Sequence, residues 1–340
     1  MMFKKDIGVD LGTANVLVHV RGRGIVLNEP SVVAIESQTK RVVAVGEEAR
    51  RMLGRTPGNI LAIRPLRDGV IADFEITEIM LKHFITRTIG KGLLSQPRVA
   101  VCVPAGITSV EQKAVRQATE AAGAKHVYLI EEPKAAAIGA GLDITQPSGS
   151  MVVDIGGGTT DVAVLSLGDV VTASSIRVAG DKFDEAIIRY IKRNHNLLIG
   201  ERTAEDIKIR VVSVKRGLRQ EEMDVRGRDM MTGLPKTVTI HTDDMVEALE
   251  ESAFAIVSAA KSVLERTPPE LAADIFDKGV ILTGGGALLH GMDKLLLDEL
   301  QVPVYIADDP MTCVARGTGV FLENIDKWGR PPAKSQRYRA

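Results

Sequence analysis

The segment Met151-Val152-Val153-Asp154-Ile155-Gly156-Gly157-Gly158-Thr159-Thr160-Asp161-Val162-Ala163-Val164-Leu165 decides the fold. Two apolar runs of strand length are joined by a turn rich in glycine, the pattern of a β-hairpin. Near the start of the chain the pattern recurs: Ile7, Val9 and Leu11 alternate with polar or small residues, Gly12-Thr13-Ala14-Asn15 make the turn, and Val16, Val18 and Val20 resume the alternation. Each copy runs aspartate, apolar residue, glycine, small residues, strand, and about half the chain separates them. Two copies of one motif suggest a duplicated domain whose halves face each other across a cleft.

Working outward, a strand at Arg98 to Val103 precedes a helix with the capping box Thr108-x-x-Glu111 and a stop at Gly123. A strand at His126 to Ile130 follows, and Glu131-Glu132-Pro133 opens an alanine-rich helix, where the proline's missing N–H costs nothing. The second half predicts helices from about Lys182 to Asn194 and from Thr203, a β-ribbon from Met223 to Ile240, and a long helix from Asp243 to Arg266 broken by Thr267-Pro268-Pro269. Val280 to Leu289 reads as a buried strand running through Gly284-Gly285-Gly286 into a helix. Alternating strands and helices make an α/β core. Trp328 to Ala340, with four basic residues, no acid and two prolines, reads as a frayed tail.

The chain of 340 residues is long enough for two domain-sized halves. With 43 basic and 44 acidic side chains it has no global field that would draw it to nucleic acid. Cys102 and Cys313 alone build neither a disulfide framework nor a CxxC metal site, so a reducing cytoplasm is expected. The first six residues lack the apolar core of a signal peptide, and no run of 18 apolar residues spans a membrane.

Gly12-Thr13-Ala14 and Gly156-Gly157-Gly158-Thr159 offer backbone N–H groups unobstructed by bulky side chains, as phosphate oxygens require. Either alone is equally a plain tight turn; two matched turns plus Gly284-Gly285-Gly286 point to a nucleotide. Neither a GxxxxGK[ST] loop nor a dinucleotide fingerprint occurs. Asp10, Asp154 and Asp161 beside these turns would repel a triphosphate unless Mg²⁺ intervenes, held mostly through water. Glu132 either orients or deprotonates an attacking water or merely complements a helix dipole. Glu205 and Lys208 either bond a ribose or form an exposed helix pair.

These stretches, with Leu129-Ile130-Glu131-Glu132-Pro133-Lys134-Ala135-Ala136-Ala137-Ile138-Gly139 and Leu282-Thr283-Gly284-Gly285-Gly286-Ala287-Leu288-Leu289, occur in the order of the actin-like ATPase superfamily. Leu27 to Ala34, Gly54 to Gly58, Gly200 to Asp206 and Arg226 to Asp229 extend the resemblance to the bacterial actin MreB family, up to about Lys327. Lys134, Asp161 and Gly180-Asp181-Lys182-Phe183-Asp184 lean toward its Mbl branch. The resemblance implies an actin-like fold: two ribonuclease H-like halves around an ATP cleft, each with a smaller inserted subdomain. The implied division is 1–32, 78–145 and 312–330 for subdomain IA, 33–77 for IB, 146–181 and 245–311 for IIA, and 182–244 for IIB. Phosphate loops fall on Gly12, Thr13, Ala14 and Asn15 and on Gly156, Gly157, Gly158 and Thr159. The adenosine side falls on Gly284, Gly285, Gly286, Ala287 and Leu288 with Glu205 and Lys208. Hydrolysis falls on Glu132 and Thr159 with Asp161, and Mg²⁺-linked carboxylates on Asp10, Asp154 and Asp161. Two departures stand out: Arg316, where the family pattern has an apolar residue near the hinge, and the segment Val211 to Gln220.

The resemblance implies a cytoskeletal ATPase that polymerises with itself, lies peripherally on the inner face of the cytoplasmic membrane and guides the cell-wall synthesis machinery. A small-molecule kinase of the same superfamily would use the same ATP motifs, and a DnaK-type chaperone would need a substrate-binding domain that this chain lacks. Leu93 and Leu94, in a loop flanked by Lys91 and Arg98, fall where the family inserts a hydrophobic loop into lipid; the alternative is that both fold back onto the core. The residues before Asp6 are too few for the N-terminal amphipathic helix of many relatives.

Overall fold

The computed structural model describes residues 6–89 and 97–325. Its first hairpin pairs Asp6–Leu11 with Asn15–Val20, Val9 standing opposite Val18, and Gly24–Pro30 adds an antiparallel third strand. On the other side of Asp6–Leu11 the strands Arg98–Val103 and His126–Glu131 join in parallel. The second hairpin pairs Ser150–Ile155 with Thr160–Ser166, so that Asp154 stands opposite Asp161. Asp169–Ile176 extends it antiparallel on one side; Val280–Thr283 and Val304–Ile306 extend it in parallel on the other. Both five-stranded sheets thus share one order: the third, second and first strands of a meander, then two parallel strands. The expected duplication is a property of the whole sheet as well as of the turns.

Each sheet buries apolar side chains under helices. In the first half Ile7, Val9, Val99 and Val101 pack with Met80, Leu81 and Phe84 of the helix Phe74–Ile89. In the second half Val153, Val162 and Leu282 pack with Phe183 and Ile187 of the helix Gly180–His195 and with Ile256 and Val257 of Thr242–Glu265. A third cluster joins the halves: Ala100, Cys102 and Ile130 meet Val152, Ala163 and Leu165 through Ala135, Ala136 and Ala137 and the last helix, Cys313–Glu323. Small insertions rise from each half. Val33–Glu36, Val42–Val45 and Ile60–Ile63 form a three-stranded sheet with the short helix Glu47–Arg50; Leu197–Leu198, Glu222–Asp229 and Pro235–His241 form another with the helix Glu201–Arg210.

The capping box closes as read, with Glu111 N–H donating to Thr108 Oγ1 at 3.3 Å and Thr108 N–H to Glu111 Oε2 at 2.9 Å. Thr267-Pro268-Pro269 does more than break the long helix. Pro269 begins a further helix, Pro269–Lys278, because a proline that ends one helix also suits the first turn of the next. After Gly284 the chain makes a 3₁₀ turn, Gly285–Leu288, in place of the expected helix, which starts only at Met292. Val211 to Gln220 is irregular yet anchored by buried Val211, Val212 and Ser213. Arg316 is half-buried and leaves the helix packing intact: its guanidinium donates to the Asp308 carbonyl and lies 3.2 Å from Cys313 Sγ. Leu93, Leu94 and the tail from Trp328 lie outside the described residues.

Candidate functional site

Between the halves lies a cavity of about 480 Å³, within the range of a small-molecule site. The two glycine turns form its floor. Ser31 props the first, its hydroxyl donating to Gly12 O at 2.6 Å and its N–H to Ala14 O at 2.9 Å. The second is closed by Gly156 N–H to Thr159 O at 2.9 Å and tied to a helix start by Gly180 N–H to Gly156 O at 3.1 Å and Asp181 N–H to Gly157 O at 2.8 Å. The turns abut each other: a Cβ on Gly157 would stand 2.7 Å from Ala14 Cβ, and one on Gly158 would stand 2.5 Å from Thr13 Oγ1. Glycine is needed there for approach between the halves, a reason separate from exposing N–H groups. At the third glycine run Gly284 has φ +78° and packs on the Ile155 backbone, which fixes the 3₁₀ turn against the base of the second hairpin.

Asp10, Gly12, Thr13, Ala14, Asn15, Glu132, Asp154 and Gly156 to Thr159 line this cavity, as do Glu205, Lys208, Gly284, Gly285, Gly286 and Leu288. Two expected members do not. Ala287 is fully buried, because the 3₁₀ turn directs it into the core of the second half. Asp161 is fully buried behind the floor, its Oδ1 accepting the Ala105 N–H at 2.7 Å while Oδ2 has no hydrogen-bond partner among the described residues. Glu205 and Lys208 do not pair with each other. Glu205 Oε2 accepts from Arg50 at 3.2 Å, and Lys208 Nζ holds Asp184 at 2.9 Å and the Gly180 carbonyl at 3.2 Å.

Acidic groups dominate the electrostatics. Burial, with the Asp154 charge second, pushes the Asp10 carboxyl up to about 8. Burial pushes Asp154 up to about 6, although the Thr283 hydroxyl donating to its Oδ1 at 2.7 Å pulls the other way. Burial also raises Asp161, and it raises Glu132 well above the carboxylate range, with the charges of Asp161, Asp10 and Asp154 adding to it. The Cys102 thiol behind them is pushed well up by the same burial and charges and stays neutral. Converging carboxylates that resist ionisation are the surroundings a cation relieves. Among the described residues no three acids, histidines or cysteines are placed to ligate a metal directly.

Several lining residues carry no local sequence signal. Arg64 and Gly69 come from the inserted sheet and the loop after it, Asp181 and Asp184 from the start of Gly180–His195, and His290 and Met311 from the far wall. Burial raises Asp181 against the opposing charges of Arg64 and Lys208, and it pushes Asp184 up to about 6 against Lys208. Only the stretch Gly180 to Asp184 had a signal, and that through family resemblance.

The model of the MreB/Mbl protein family matches residues 4–330. The cell shape-determining protein Mbl of Bacillus subtilis (strain 168) is 68% identical over 326 residues, 96% of this chain and 98% of that protein. The cell shape-determining protein MreB of Escherichia coli (strain K12) is 56% identical over 333 residues, 96% of each. In structure, MreB 5 of Spiroplasma citri bound to AMPPNP matches with a TM-score of 0.91 at 41% identity, covering 96% of this chain and 98% of that one. Two sheets of one order, matched glycine turns meeting across a cleft, and likeness along nearly the whole length agree: the chain belongs to the MreB/Mbl family of the actin-like ATPase superfamily.

Proposed function

We infer that this chain is a bacterial actin-like cytoskeletal ATPase whose filaments lie on the inner face of the cytoplasmic membrane and direct cell-wall synthesis and rod shape. The observation that carries this reading is the pair of matched glycine turns meeting across one acid-lined cleft, in a chain of this family. A relative 41% identical is seen with AMPPNP.

In this reading the N–H groups of Gly12 to Asn15 and Gly156 to Thr159 hold the phosphates, and Gly284 to Gly286 with Leu288 flank the base. Lys208 faces the ribose, as does the Glu205 oxygen that Arg50 leaves free. The carboxylates fit Mg²⁺ held through water, with Asp10 and Asp154 facing the cleft and buried Asp161 behind them. When bound, Mg²⁺ neutralises charge on the phosphate oxygens. Glu132 and Thr159 hold the attacking water: the Glu132 carboxyl hydrogen-bonds to it, and the Thr159 hydroxyl fixes its direction.

The four-subdomain division implied by the resemblance has one physical consequence. Its edges at 77/78, 181/182 and 244/245 fall inside the helices Phe74–Ile89, Gly180–His195 and Thr242–Glu265, so the lobes would move by rocking on helices. Membrane contact is assigned to Leu93 and Leu94. Pelleting with Mg-ATP at low micromolar protein, paired with phosphate release in the absence of any sugar, tests the whole reading. Turnover that appears only with a small-molecule acceptor, and no pellet, would return the chain to the kinase alternative.

A further inference from the structure

Three ion pairs cross the mouth of the cleft. The Arg50 guanidinium stands 3.2 Å from Glu205, and Arg64 stands 3.4 Å from Asp181 and 3.8 Å from Glu201. Arg50 ends the helix Glu47–Arg50, and Arg64 follows the strand Ile60–Ile63, so both belong to the insertion of the first half. The acids belong to the helices Gly180–His195 and Glu201–Arg210 of the second half. Arg64, Asp181 and Glu205 line the cavity, and Arg64 Nε is buried with no hydrogen-bond partner among the described residues. Asp181 also donates its N–H to Gly157 O, so Arg64 bears on the residue that anchors the second glycine turn.

We propose that Arg64, supported by Arg50, is a positioning residue that clasps the insertion of the first half to the second half over a bound nucleotide and sets how fast the nucleotide leaves. This rests on the nucleotide reading above. Phosphates seated on turns from both halves are released when the halves part, and parting the first insertion from the second half separates all three pairs. The paired side chains are between 25% and 67% exposed, so each pair exchanges with water and is screened by salt. Weak links acting in parallel make a brake on opening, and the cleft still opens. The guanidinium matters as well as its charge: a planar fork spans Asp181 and Glu201 together, whereas an ammonium meets one carboxylate at a time.

The test preloads the full chain with a fluorescent ATP analogue and Mg²⁺, chases it with excess ATP in a stopped-flow instrument, and repeats the chase from low to high salt. Arg64→Ala is expected to release the analogue about five- to tenfold faster at low salt. Wild-type release should quicken with added salt, while the variant loses most of that dependence. Arg64→Lys should fall between the two, and Arg50→Gln should shift release the same way by less. Arg64→Ala releasing at the wild-type rate with the wild-type salt dependence overturns the proposal. If Arg64→Ala does not fold, Glu201→Gln and Arg50→Gln take its place, and wild-type release from both overturns it equally. A wild-type chain that never binds the analogue overturns the nucleotide reading and this inference with it.

Discussion

At Glu132 two roles meet in one side chain, since it opens the helix Glu132–Gly139, where a carboxylate complements the dipole, and it lines the cleft. A mere helix-start acid would be screened and replaceable; this one is held far above its ordinary pKa by burial and three neighbouring carboxylates. Glu132→Ala should therefore keep nucleotide binding while phosphate release at saturating ATP slows about 10²- to 10⁴-fold. Unchanged turnover in a folded variant would reduce Glu132 to the helix role. Asp229 offers the opposite case: its Oδ1 accepts the N–H groups of Met231 and Thr232, Lys236 lies 3.0 Å from the other oxygen, and the carboxyl is pulled down to about 2. A folded pKa below the unfolded value of about 3.9 stabilises the fold above that pH and stops doing so as pH falls through about 2. Denaturation midpoints of the wild type and Asp229→Asn should differ by a constant amount above about pH 5 and converge as pH falls below about 4. A gap independent of pH would contradict the ion pair. Residues inside the repeated turns were legible because the turn's chemistry is written locally. Arg64 and His290 were not, since their places in the cleft arise from elements that meet only in three dimensions. The 3₁₀ turn that buries Ala287 was not legible, because the sequence does not distinguish it from the first turn of an α-helix.

Among the elements, the crossing of Glu132–Gly139 with Cys313–Glu323 is the tightest contact between helices. A Cβ on Gly139 would stand 1.8 Å from Cys313 O, and one on Gly317 would stand 1.8 Å from Ala135 O. Backbone faces backbone at both points, so no side chain can rotate away to make room. Gly139→Ala should destabilise by about 3 kcal/mol, the upper part of the usual range for overpacking, read as a lower denaturant midpoint at constant slope. A change below about 0.5 kcal/mol would mean that the helices slide apart freely. The hairpins could be read because their apolar runs and glycine turns are dense in signal. Asp169–Ile176 could not, because as an edge strand it is only partly buried and its alternation is weak. Pro269–Lys278 hid behind its own proline. Arg316 shows how a charge survives beside this crossing: its guanidinium turns to the Asp308 carbonyl, leaving the Gly317 contact undisturbed.

For the whole molecule, the two sheets share their strand order, yet the paired residues differ, and at the position beside the turn Leu17 pairs with Asp10 where Asp161 pairs with Asp154. The second hairpin therefore carries a pair of facing aspartates where the first carries one. Assembly on a membrane is a property of many copies. One buried leucine side chain contributes roughly 1.5 to 3 kcal/mol, so under the membrane reading proposed above a monomer offering Leu93 and Leu94 would bind lipid weakly while a filament would bind with high avidity. Replacing both with Ser should abolish co-sedimentation of preassembled filaments with liposomes at nearly constant melting temperature. Retained lipid binding, or a melting point several degrees lower, would return both leucines to the core. The last helix carries a further implication. Cys313–Glu323 packs on the first half, Thr318 lying against Gly8 and Gly319 against His19, although it is made only after the second half. On the ribosome the opening sheet therefore waits without its cover while the second half is synthesised, on the order of tens of seconds at cellular elongation rates. The nascent chain holds an exposed apolar surface for that interval, so synthesis is a stage at which that surface lies open to aggregation in a way the finished fold does not allow.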